Sequence, residues 1–341
     1  MKRIFITSLL TTTLLVLHGA DHAGAKQSGK EQAASAPAPA PTPSFPVAQL
    51  RRDFKNSFPI PTGEKLEYEI KFSRFPIYAS VGVVTFENLG AIAARQNPAA
   101  VVAGDQNQRK ASEPLIKGLD VEFAPAPEDQ ILHLRATAVS KGMLIALLGF
   151  DVRDRFETLV DMRDFSARVS FKETKEGKKH TTQSALFDHS DQQIKYLTTD
   201  LNKPQTPPRA KPLPRQDGML SLLSAFYFVR LQKLKEGHML TFPVSTDEEN
   251  YQFEVLVGKR ESLKTDCGEV KTVRLEPKLF GPGRLFSRQG EMTMWVSDDN
   301  KHTPLRLVAK TPSGTVTAKL LNFKNKCNII EQEDEKTQKG K

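Results

Sequence analysis

Residues 65–72 read Lys-Leu-Glu-Tyr-Glu-Ile-Lys-Phe. Leu66, Tyr68, Ile70 and Phe72 alternate with Lys65, Glu67, Glu69 and Lys71, which puts the apolar set on one face of an extended chain and the charges on the other. The stretch is therefore a half-buried β-strand. The same period recurs at Leu132, Leu134, Ala136 and Ala138, and at Phe165, Ala167, Val169 and Phe171. It returns at Tyr251, Phe253, Val255 and Val257, then Met292, Met294 and Val296, then Leu305, Leu307 and Ala309. With runs near 81–86, 152–160, 270–275 and 315–321, on the order of a dozen strands follow, mostly joined by turns of hairpin length. The fold class is mainly β, a curved antiparallel sheet or open barrel, closed or nearly closed.

One segment breaks the pattern. Residues 218–231, Gly-Met-Leu-Ser-Leu-Leu-Ser-Ala-Phe-Tyr-Phe-Val-Arg-Leu, have the length and propensity of a helix, with Asp217 as its N-cap. This helix is apolar on nearly every side and must be buried, in the mouth or on the concave face of the curved sheet. A shorter stretch, 142–149, with Met143, Leu144, Ile145, Leu147 and Leu148, reads as a second apolar plug or an exposed lip.

At the N-terminus, Lys2 and Arg3 precede an apolar run from 4 to 17, and Ala23-Gly24-Ala25 follows, the layout of a signal peptide cleaved after Ala25. Threonines, a serine, His18, Asp21 and His22 make the run too broken for a retained anchor, which needs about 20 apolar residues. The expected location is the bacterial periplasm. Residues 26–59, rich in Ala, Pro and Ser, read as a disordered spacer. A single β-rich domain spans 60–325, with a loop insertion at 91–118, a proline-rich break at 202–215 and a charged tail at 326–341. No later segment is apolar for long enough to cross a bilayer as a helix; the longest, 219–231, is too short. Cys267 and Cys327 are the two cysteines, and an oxidising compartment permits a bridge between them.

The formal net charge is +9, and loss of Lys2, Arg3 and Asp21 with the signal leaves +8. In the cell envelope such a surface meets anionic lipid or acidic glycan rather than nucleic acid. His133, His180, His189, His238 and His302 never fall at metal-ligand spacing. No nucleophile elbow, phosphate loop or dinucleotide fingerprint occurs, so no catalytic residue, metal or cofactor is assigned. Asp298-Asp299-Asn300 reads as a β-turn in which Asp side chains bond the backbone, rather than as a calcium loop, since Lys301 and His302 follow. Arg153, Arg155, Arg163 and Arg168 form a stripe on adjacent strands that neighbouring acids dilute. Trp295, out of phase with Met294 and Val296, packs under the helix or lines a cavity, with Met219, Leu220, Leu223, Phe226 and Tyr227 as the opposing wall.

Several of these elements together resemble a known family. Gly63-Glu64 before the Leu66/Tyr68 strand, the Tyr-x-x-Arg of the helix, Gly237 before a strand, and Trp295-Val296-Ser297-Asp298-Asp299 leading to Pro304 are similar to the bacterial domain of unknown function numbered 3108. The likeness spans roughly 60–323. It implies an exported, β-rich single domain, shaped like the half-barrels of periplasmic lipoprotein carriers, and it implies no activity.

The first expectation for function is a monomeric, non-enzymatic binder of a lipid, an acyl chain or a lipidated envelope component. A structural or assembly factor of the cell envelope is the second, and an enzyme of cell-wall glycans, with two acids in a cleft, the third.

Overall fold

The computed structural model describes residues 45–54, 58–92, 116–118, 130–142, 151–266, 268–287 and 289–321. The expected signal segment 1–25, Cys267 and Cys327, residues 143–149 and the tail at 326–341 lie outside them. Eight strands run first: β1 (Lys65–Arg74), β2 (Ile77–Ala91), β3 (Ile131–Ser140), β4 (Arg153–Asp161), β5 (Ala167–Glu176), β6 (Lys179–Asp188), β7 (Gln193–Asp200) and β8 (Arg209–Pro214). A two-residue β9 (Leu220–Ser221) leads into helix α1 (Leu222–Arg230). The chain returns through β10 (Met239–Thr246), β11 (Glu249–Thr265), β12 (Gly268–Pro277), β13 (Glu291–Ser297), β14 (Pro304–Thr311) and β15 (Gly314–Leu320).

All fifteen strands form one sheet in the order β8-β7-β6-β5-β4-β3-β2-β1-β15-β14-β13-β12-β11-β10-β9. Two antiparallel meanders are thus zipped together where the first strand meets the last, Tyr68 opposite Leu320 and Phe72 opposite Val316. The sheet is curved but not closed into a barrel, with β8 at one edge and β9 at the other. Its two wings still touch through side chains. The β10–β11 turn reaches across to the β5–β8 wing, where Lys172 Nζ meets Asp247 at 2.6 Å and Thr198 Oγ1 donates to Glu248 at 2.8 Å.

Alternation predicts the inner face well, because Leu66, Tyr68, Ile70 and Phe72 are all buried in one core with α1. Strand β4 is buried almost throughout, a consequence of cover on both faces. Its outward Leu159 joins Ile92, Ile116, Ile131, Val169 and Phe171 in a second core. Ile92 and Ile116 come from the two ends of the 91–118 stretch, so those ends belong to the folded domain.

Two linker assignments need correction. Of the 26–59 spacer, residues 45–54 lie against the domain as a strap. Met239 N donates to Pro46 O and Ala48 N to Met239 O, each at 2.9 Å, and Phe54 is fully buried between the rings of Phe165 and Phe228. One aromatic anchor overrides a composition that has no apolar period. Of the proline-rich break, residues 209–214 form β8, paired to β7. Proline is tolerated there because an edge strand leaves one row of N–H positions unpaired, and the prolines block further strand addition.

Candidate functional site

Helix α1 begins four residues later than the sequence predicts. Asp217 is exposed and bonds Arg215, while Ser221 is the N-cap: its Oγ accepts from Ser224 N at 3.1 Å, and Ser224 Oγ accepts from Ser221 N at 2.9 Å. The residues between are used otherwise. Gly218 has φ +64°, a left-handed conformation that favours glycine, and it lies directly against the Arg52 guanidinium. Arg52 donates to Gly218 O and lies over the Phe228 ring. Leu220 and Ser221 then pair in parallel with Val244 and Ser245.

The other end of α1 is held by a buried ion pair. Arg230 Nη1 and Nη2 donate to the two oxygens of Glu64 at 2.7 and 3.0 Å, and Nε donates to Lys301 O. Burial pulls the guanidinium pKa down, but the Glu64 carboxylate outweighs it and holds the value above the ordinary one. Tyr68 OH donates to Pro304 O at 2.8 Å, and His302 Nδ1 is 2.8 Å from Arg230 O. Burial pushes the Tyr68 and Tyr227 phenols up, so both stay protonated, and burial pushes the His302 imidazole down. The turn before Pro304 is an Asp turn, as expected. Asp299 Oδ1 accepts from Ser297 Oγ and from the N–H groups of Lys301 and His302, and Asp298 bonds Arg260. Glu64, Tyr68, Tyr227, Arg230 and the 297–304 turn, scattered in sequence, therefore form one latch under the helix.

Beside the latch, between α1 and the inner face of the sheet, lies an apolar cavity of about 160 Å³, within a hollow of about 1140 Å³ that includes space open to solvent. Leu222, Leu223, Ala225, Phe226 and Val229 form its helical wall, and Phe226 stacks on Phe86 at 4.2 Å. The sheet supplies Tyr68, Ile70, Val84, Phe242, Phe253, Val255, Met292, Met294, Leu307, Val316 and Ala318. Among the described residues, no Asp or Glu lines it.

Of the residues singled out as the wall, Leu223 and Phe226 are in place. Met219 packs instead with Phe187, Ile194 and Tyr196 in a separate core, and Leu220 is committed to β9. Tyr227 is buried beside Arg230, its ring 5.5 Å from the guanidinium carbon. Trp295 lies on the other face of β13, where its indole N–H donates to Glu261. Leu222, Ala225 and Val229 were missed, yet with Phe226 they form an i, i+3, i+4, i+7 stripe that helical phase alone would have selected.

The arginine stripe is neutralised in place: Arg153 meets Asp151, Arg155 meets Glu157 and Glu173, and Arg163 and Arg168 meet Asp161. His133 is bonded to the buried Glu157. Burial raises the Glu157 pKa, but the hydrogen bond and charge of His133, with Arg135 and Arg155, outweigh it and hold the carboxyl below its ordinary value.

A family model described as a protein of unknown function, DUF3108, matches residues 120–321. The chain belongs to this family. The DUF3108 match takes in Tyr227, Arg230 and the 297–304 turn, whereas their latch partners Glu64 and Tyr68 precede it. No curated protein matches the chain. Three chains of solved structure match, among them a β-barrel-like protein of the domain of unknown function DUF1849 from Brucella abortus, 10% identical, with a TM-score of 0.43, covering 76% of this chain and 96% of that one.

Proposed function

We propose that this DUF3108 protein is a non-enzymatic binder of a single hydrocarbon chain, working in the bacterial periplasm after export. The observation that carries the reading is the cavity between α1 and the sheet, apolar except for Tyr68, whose hydroxyl is already occupied by Pro304, and Arg306. At about 160 Å³ it matches the size at which a dry apolar cavity takes one benzene-sized group. That space suits a length of acyl or isoprenoid chain with its head group outside, and not a whole lipid or a folded partner. The glycan-enzyme alternative is disfavoured, because the described residues of the lining include no paired carboxylates.

Native mass spectrometry and lipid extraction of protein recovered from its own periplasm are expected to show a bound chain. Ala318→Phe places a ring in the cavity. It is expected to weaken binding of a fluorescent acyl probe at least about tenfold while raising stability by about 0.5–2 kcal/mol, as cavity filling does. A protein that carries no chain and binds no probe, or a variant that binds as well as the wild type, would overturn the reading.

A further inference from the structure

The turn between β1 and β2, with the first residues of β2, reads Ser73-Arg74-Phe75-Pro76-Ile77-Tyr78, and three of its apolar side chains face solvent. Phe75 is 86% exposed, Tyr78 71% and Ile77 40%. Single exposed apolar residues are ordinary on any surface, but three at one projecting turn form a patch. The neighbouring segments add positive charge. Arg74 Nη1 donates to Ser313 O, which brings the β14–β15 turn and Lys310 alongside, and Lys141 N donates to Val81 O on the strand that leaves the tip. Residues 73–80, 139–142 and 310–314 contain Arg74, Lys141 and Lys310 and no Asp or Glu. Lys310 is bonded to Glu291 from β13.

We propose that this tip docks the protein on an anionic lipid surface. Phe75 and Ile77 enter the boundary between head groups and acyl chains, Tyr78 sits at that boundary as an amphipathic ring, and Arg74 and Lys141 meet lipid phosphates. Lipid fits the tip better than a protein does. Three side chains on a convex turn fall well short of the roughly 800 Å² a side that a stable protein interface takes, whereas insertion into a fluid boundary needs no complementary surface. The formal net charge, +8 once Lys2, Arg3 and Asp21 leave with the signal, adds long-range attraction of the same sign. Placement agrees as well. The tip is at the far end of β1 from the Glu64 latch, and the cavity lining climbs from Tyr68 and Pro304 to Val316, which pairs with Phe72 just short of the tip. Docking here is independent of whether the cavity holds a chain.

The test is flotation of exported, purified protein with vesicles of phosphatidylcholine alone or mixed with phosphatidylglycerol. The wild type is expected to float with the mixed vesicles and to be released by high salt. F75S/Y78S, changed only at exposed positions, is expected to partition about tenfold more weakly with an unchanged melting temperature. R74E/K141E is expected to lose about as much on the mixed vesicles. Absence of wild-type flotation, or equal flotation of F75S/Y78S, would overturn the proposal. So would self-association in the absence of vesicles that F75S/Y78S abolishes, which would make the tip a contact between copies. Ala318→Phe separates the two readings: docking retained with acyl binding absent in both proteins would sink the cavity reading and leave this one standing.

Discussion

Arg230 is among the largest side chains the protein buries completely, and it is charged. Removing a guanidinium from a buried pair leaves the carboxylate without compensation, which costs far more than the pair itself is worth. Arg230→Met is therefore expected to destabilise the protein by about 3–5 kcal/mol, and Glu64→Leu in the same chain to recover most of the loss. Urea denaturation of the two single variants and the double variant measures the coupling, and additive losses would show that the pair does not act as a unit. His302 gives the latch a pH dependence. Its folded pKa lies below the ordinary 6.5, chiefly through burial, so the unfolded chain binds the proton more readily. The stability this provides is complete above 6.5 and is lost as pH falls from there through the folded value. His189, pushed down by burial and by Arg215 and Arg168, acts in the same direction. The urea midpoint is expected to drop between pH 7.5 and 5.5, and to drop less in His302→Asn, which keeps an amide donor and tolerates the residue's φ of +41°. Equal slopes in the two proteins would rule His302 out as the source.

At the scale of elements, local rules located α1 but not its first residue. Asp217 is an acceptable cap by residue type, and nothing local distinguishes it from Ser221. The choice was made by Arg52, which fills the space beside Gly218, and by β10, which takes Leu220 and Ser221 into the sheet. The strap was illegible for a related reason: its apolar residues Phe45, Val47, Leu50 and Phe54 are unevenly spaced and keep no period of two that would mark a strand. Phe54 contacts Phe165 and Phe228 at 5.4 and 6.5 Å between ring centroids. Phe54→Ala is expected to cost about 3–5 kcal/mol and to open residues 45–54 to limited proteolysis. A variant as stable and as resistant as the wild type would show that the strap contributes nothing to holding α1.

At the scale of the whole molecule, the period-two pattern was enough to establish a mainly β chain with a buried apolar helix, because alternation is a local consequence of one face meeting water and the other a core. The Tyr-x-x-Arg of the helix and the Trp-x-Ser-Asp-Asp turn, both within the family match, were also visible along the chain. Strand order was not, since β1 pairs with β15 across more than two hundred residues and no local pattern encodes that register. Nor was it visible that Glu64, Arg230 and the 297–304 turn meet, or that the cavity opens on the Met294 face of β13 rather than on the Trp295 face. Those outcomes depend on how the helix is rotated and how far the sheet curls, and both are settled by side chains packing against partners distant in sequence.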